Sequence, residues 1–177
     1  PVLYSFRRCP YAMRARMALA IAGIDVQLIE VTLKHKPPAL LAASSKGTVP
    51  VLCVGERIFD ESLDIMCWAL SIHDPDGWIS GLESAGPGLA MQLIRDNDTA
   101  FKPWLDKYKY AVRYPQHPPE FYRHQCEAYL QTLNTLLHIQ PYLSGPHITL
   151  TDIAIFPFVR QFAMVDSHWF DHSPYQQ

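Results

Sequence analysis

Clustered positive charge is missing from this 177-residue chain, in which 15 Lys and Arg stand against 17 Asp and Glu for a formal net charge of −2. Binding to nucleic acid or to an anionic membrane needs such clusters, so neither is expected as a partner. Long apolar runs are missing too: none approaches the roughly 20 residues a spanning helix requires. The N-terminus lacks the charged-then-apolar layout of a secretory signal, and the chain reads as cytoplasmic. Cysteine is sparse. The four, Cys9, Cys53, Cys67 and Cys126, lie far apart, with no pair at metal-ligand spacing and no dense stapling pattern, so reduced thiols and no metal are expected. What the chain does have is apolar content, 49% hydrophobic against 18% charged, enough to bury a sizeable core as one large or two small domains.

The first 33 residues read β-α-β. "VLYSF", residues 2–6, is a short apolar and aromatic run of the buried-strand kind. From Pro10 to Ala22, Met13, Met17, Ala20 and Ile21 recur near helical spacing, and Gly23 supplies a stop. "DVQLIEVTL", residues 25–33, alternates like a second strand, and a right-handed crossover makes the two parallel. Pro37 and Pro38 open a short helix. In "KGTVPVLCVGERIFDESLDIMCWAL", Val49 to Val54 make a strand, Gly55-Glu56 a turn, Arg57 to Phe59 a return strand, and Ser62 caps a helix to about His73. Pro50 cannot donate to a ladder, so it belongs at the strand's start, with a cis Val49–Pro50 bond expected.

"HDPDGWISG", residues 73–81, has the composition of a linker. Beyond it, helical periodicity dominates near residues 87–113, 119–138 and 150–165, between Pro-rich loops. The expected architecture is an α/β domain at 1–74, ordered βαβαββα, and an all-helical domain at 82–177.

"RRCPYAMR" raises the chemical question. With Cys9 as N-cap and Pro10 as first helical residue, the missing proline N–H costs nothing. The sulfur then faces the free amides of the first turn, where the helix dipole, aided by Arg7, Arg8 and Arg14, lowers a thiol pKa toward the reactive range. The plainer alternative is a small buried hydrophobe that precedes a proline.

Cys9-Pro10-Tyr11-Ala12 after a strand, Thr48-Val49-Pro50-Val51-Leu52 before a hairpin and Asp60-Glu61-Ser62 before a helix together resemble the glutathione transferase superfamily, in particular its cysteine-type members: the omega class and two-domain glutaredoxin-like bacterial proteins. Thr149-Leu150-Thr151-Asp152 is similar to the family's capping motif on a core helix, a structural signal. The resemblance implies a thioredoxin-like first domain that binds glutathione, as co-substrate and not as a bound cofactor, beside the catalytic Cys9. On it, Ser62 and the amides that start its helix take the γ-glutamyl carboxylate, Glu61 the amine, the backbone of Val49 beside Pro50 the cysteinyl unit, and Lys36 the glycyl carboxylate. Each has a plainer role open to it: Ser62 as a cap, Glu61 as a complement to the dipole, Lys36 as a solvated cation. Tyr11, Phe101, Trp104 and Tyr108 are implied as candidates for a second-substrate pocket, with core packing as their alternative. The resemblance also implies a homodimer, and a last helix beyond the closing "FDHSPYQQ".

Ala12, where a Cys-x-x-Cys motif has its second thiol, points to single-cysteine chemistry. The expected activity is that of a glutathione transferase with thiol-transferase action on a small disulfide or electrophile, through a Cys9–glutathione mixed disulfide. Two alternatives stay open: conjugation driven by a hydroxyl on Tyr4, Ser5 or Tyr11, and a non-catalytic interaction protein on the same fold. His168 and His172, four apart, lack a third ligand at metal spacing. Cys53 and Cys67 are expected in the core.

Overall fold

In a computed structural model of the chain, residues 1–79 and 87–175 are described. The end of the expected linker, Ser80 and Gly81, and the start of the second domain at residue 82 lie outside the described residues, as do the last two residues of that domain. The chain divides into two units, Pro1–Ile79 and Ser80–Gln177.

The first unit runs β1 (Val2–Ser5), α1 (Pro10–Ile21), β2 (Gln27–Glu30), α2 (Pro38–Ala43), β3 (Val51–Val54), β4 (Arg57–Phe59) and α3 (Ser62–Ile72). Its mixed sheet has the order β2-β1-β3-β4. β1 pairs with β2 in parallel, as a crossover through a helix requires, and with β3 antiparallel. β4 returns antiparallel on β3, with Gly55 at φ +59 in the turn. As one of the two inner strands, β1 is sealed on both faces: Leu3, Tyr4 and Ser5 are all buried. Tyr4 joins Val31, Leu40 and Val51 in one core layer beneath α2, and the strand's period of two turns Leu3 and Ser5 the other way. α1 ends where Gly23, at φ +66, receives the chain, its N–H reaching the Ala20 carbonyl at 3.1 Å.

α3 corrects one expectation. Its N-cap is Glu61, which makes no side-chain cap bond, and Ser62 is the first helical residue. The stripe Ser62, Ile65, Met66, Ala69 and Leu70 is buried and leaves Cys67 outside it. Cys67 is therefore exposed, not core, and Cys53 is half-buried.

The second unit contains α4 (Pro87–Asp96), α5 (Lys102–Lys109), α6 (Pro119–Ile139), α7 (Leu150–Ala163) and α8 (Ser167–Asp171). The single helix expected over 87–113 is interrupted: a π-helical turn, Asn97–Phe101, joins α4 to α5, and a 3-10 turn, Ala111–Arg113, follows. Pro103 explains the break, because it has no N–H and its ring excludes the carbonyl four residues back. The core is aromatic: Phe162 meets Tyr108 at 5.4 Å and Phe101 at 5.9 Å between ring centroids.

The expected capping box starts α7. Asp152 accepts from the Thr149 amide at 2.8 Å and hydroxyl at 2.9 Å, and its second oxygen accepts from the Leu143 amide at 2.8 Å. Replacing Asp152 with Ala should lower the unfolding free energy by about 2–3 kcal/mol, since it removes a cap and strands two amides. Urea denaturation followed by circular dichroism measures this; a loss below about 0.5 kcal/mol would reduce the motif to a surface decoration.

Candidate active site

Cys9 stands at the exit of a short loop between β1 and α1. Its backbone is extended, at φ −75 and ψ 121, and its amide closes a turn onto the Phe6 carbonyl at 3.0 Å. The loop is tied from behind by Arg16, two turns along α1, whose guanidinium donates to the Ser5 hydroxyl at 2.6 Å and to the carbonyls of Phe6 at 3.3 Å and Arg7 at 2.9 Å. The Arg7 amide in turn donates to Glu30 at 2.8 Å. Burial pulls the Arg16 guanidinium below its ordinary range, opposed by the charges of Glu30 and Cys9. Arg16 is thus the α1 cation that ties down the loop carrying Cys9. Its signal in the sequence is the spacing of seven from Cys9, two helical turns on one face.

The thiol caps no amide of α1. Its S–H donates instead to the carbonyl of Val49 at 3.5 Å. A protonated thiol is a donor and Pro10 offers no N–H, so the nearest acceptor takes it. Val49 precedes Pro50 across a cis bond, and among the described residues the Val49 amide has no hydrogen-bond partner. A thiol and a free backbone edge therefore lie side by side.

The loop that brings in Val49 depends on Gly47, at φ +58, where a Cβ would meet Leu41 Cδ2 at 3.2 Å. Lys36 Nζ lies over the same point, 3.6 Å from that Cβ position, so the exposed Lys36 stands beside this loop.

At the start of α3, Ser62 is buried and its Oγ accepts from Arg14 Nη1 at 3.4 Å. Arg14 is fully buried, with its guanidinium carbon 5.2 Å from the centre of the Tyr11 ring. Because Arg14 donates to the serine oxygen, the hydroxyl proton of Ser62 is left to donate elsewhere. Glu61 and Asp60 are both contacted by Lys46, the second at 3.0 Å, and Asp60 also accepts from Ser44 Oγ at 2.8 Å. The Ser44 hydroxyl first, and Lys46 second, hold the Asp60 carboxyl below its usual range; the Lys46 ammonium is raised, chiefly by Glu61.

Residues 3–77 match the family described as glutathione S-transferase, N-terminal domain. The first unit is thus similar to the N-terminal domain of glutathione S-transferases. It is similar to glutathione S-transferase omega-1 of Sus scrofa, 36% identical over 63 residues, and to maleylacetoacetate isomerase of Pseudomonas aeruginosa, 41% identical over 59 residues. These matches cover 34% and 30% of this chain but only 26% and 28% of those relatives. In fold it is similar to glutathione S-transferase 1-6 from Anopheles dirus species B, with TM-score 0.80 at 16% identity over 98% of this chain and 81% of that one. Glutathione transferase Omega 3C from Trametes versicolor gives TM-score 0.75 at 24% identity, covering 94% and 75%. A thioredoxin-like first domain and a helical second part are the superfamily's architecture, and this chain has both.

Within this glutathione transferase fold, the other singled-out side chains fall in varied places. Tyr4 is built into the sheet core, and the Ser5 hydroxyl is engaged by Arg16. In the second unit Phe101 is 1% exposed, packed on Tyr129 at 5.0 Å. Tyr108 is also buried, which pushes its phenol up, and it borders a cleft of about 280 Å³ with Val112, Arg123 and Asp166. Trp104 is half-buried, with Lys107 Nζ 4.2 Å from its ring centre. His172 Nδ1 is 2.7 Å from the His168 carbonyl oxygen, which occupies one ring nitrogen of that pair locally.

Proposed function

We propose that the protein is a glutathione-dependent thiol transferase that uses Cys9 alone and passes through a Cys9–glutathione mixed disulfide. The observation that carries this reading is the contact of Cys9 Sγ with the Val49 carbonyl, beside a Val49 amide that has no partner among the described residues. An extended tripeptide that pairs with that backbone edge brings its central cysteine against Cys9. The α3 amides and the Ser62 hydroxyl, whose proton the bond from Arg14 leaves unused, suit the γ-glutamyl carboxylate, Glu61 the amine, and Lys36 the glycyl carboxylate. The similarity to omega-1, a glutathione-dependent protein by name, supports the same ligand.

In the first step the Cys9 thiolate attacks the glutathionyl sulfur of a mixed disulfide. The S–S bond breaks, the other thiolate leaves and takes up a proton, and Cys9 is left bonded to glutathione. A second glutathione thiolate then attacks that sulfur, releasing oxidised glutathione and free Cys9. With Ala12 in place of a second thiol, no internal disulfide competes. Of the three hydroxyls that the conjugating alternative could use, Tyr4 is built into the sheet core and Ser5 is held by Arg16, which leaves Tyr11, its ring beside Arg14, as the candidate for that chemistry.

Retention on immobilised glutathione with elution by free glutathione tests the ligand. Ser62→Ala should weaken binding by ten- to a hundredfold in calorimetry, the equivalent of roughly 1.5–3 kcal/mol for a hydrogen bond to a charged group. Unchanged affinity would leave the hydroxyl only its bond to Arg14.

A further inference from the structure

The two carboxylates just before α3 already hold a cation. Lys46 reaches across from the loop before β3 to contact Asp60 and Glu61 together, while Ser44, two residues earlier, takes the second oxygen of Asp60. Fourteen and fifteen residues separate Lys46 from its partners, so the contact is made by the fold and not by chain proximity. The same loop continues directly into Thr48, Val49 and Pro50. The side chains are partly exposed, 46% for Lys46 and 61% for Glu61, and such pairs are weak and exchange readily. They do not act as a structural fastening.

Glu61 is also the group that a γ-glutamyl ligand would address with its α-ammonium. A carboxylate whose charge is already balanced by Lys46 gains little from a second cation, because the newcomer must displace the first or share the two carboxylates with it. The geometry points to Lys46 as the residue that sets how much the ligand's α-amine counts: it stands in for that amine and makes the site tolerant of γ-acyl thiols that lack it. The inference rests on the proposed glutathione site and adds a specificity that neither the thiol nor the backbone edge accounts for.

The test is a cycle of two ligands and two proteins. Glutathione and its des-amino analogue, glutaryl-cysteinylglycine, are titrated calorimetrically into the full chain as wild type and as Lys46→Met, with Lys46→Arg as the charge-retaining control and thermal melts to verify folding. Loss of the amine should cost the wild type and Lys46→Arg no more than about twofold. In Lys46→Met it should cost about fivefold more than in the wild type, the scale of one exposed ion pair. An equal penalty in wild type and Lys46→Met overturns the inference while leaving the glutathione site intact. Failure of the wild type to bind either ligand overturns the glutathione reading itself, and the inference with it.

Discussion

Treated with oxidised glutathione at mildly alkaline pH, the wild-type protein should gain one glutathionyl group, and peptide mapping should place it on Cys9. The four thiols differ in the features that govern attack. Cys126 is fully buried on α6 and burial pushes it up to about 12, so almost none of it ionises under these conditions. Burial also raises Cys53, and it raises Cys67 with a further contribution from Asp64. Cys9 alone sits at a helix start beside the Val49 backbone edge, where on the proposed reading the glutathione disulfide that it attacks is held. Cys9→Ser should lower the reduction of a small glutathionylated disulfide on the order of a thousandfold, the scale of losing a nucleophile. The exposed Cys67 is the informative competitor. If the adduct maps there, or if Cys9→Ser retains thiol-transferase activity, accessibility governs the chemistry and the proposed mechanism is wrong.

The parts of the site that were legible in the sequence are those whose signal is local. The run into Cys9-Pro10 marks a strand giving way to a helix, Pro50 marks a strand start, and Thr149 with Asp152 marks a helix entrance; each depends on residues within a turn of one another. What was not legible depends on approach through space. Lys46 and Arg16 are unremarked cations until the fold brings Asp60 and Glu61 to the first and three groups of the β1–α1 loop to the second. Ser62 reads as a cap because serine favours that position, yet Glu61 is the N-cap and Ser62, the first helical residue, accepts from Arg14 of α1. The long periodic stretch after residue 87 hides its break because Pro103 is compatible with the first turn of a new helix.

Phe162→Ala should strongly destabilise the second unit. Phe162 is 1% exposed on α7 and meets four rings, Phe101, Tyr108, Trp169 and Phe170, at centroid distances of 5.9, 5.4, 6.0 and 6.2 Å. These come from the π-turn, α5 and α8, so one side chain joins segments far apart in sequence. Truncating a buried phenylalanine costs about 3–5 kcal/mol through lost transfer energy and the cavity left behind, against about 5–15 kcal/mol for a whole domain. With a slope of about 2 kcal/mol per molar urea, the denaturation midpoint should fall by roughly 2 M. Phe156, six residues earlier on α7, is the internal control: it is 54% exposed, so Phe156→Ala should shift stability by no more than about 0.5 kcal/mol. Phe162→Leu, which keeps most of the volume, should recover the greater part of the loss. Equal shifts for Phe156→Ala and Phe162→Ala would mean that α7 does not bury the face that carries Phe162, and the ring cluster would then not be the core of the helical unit.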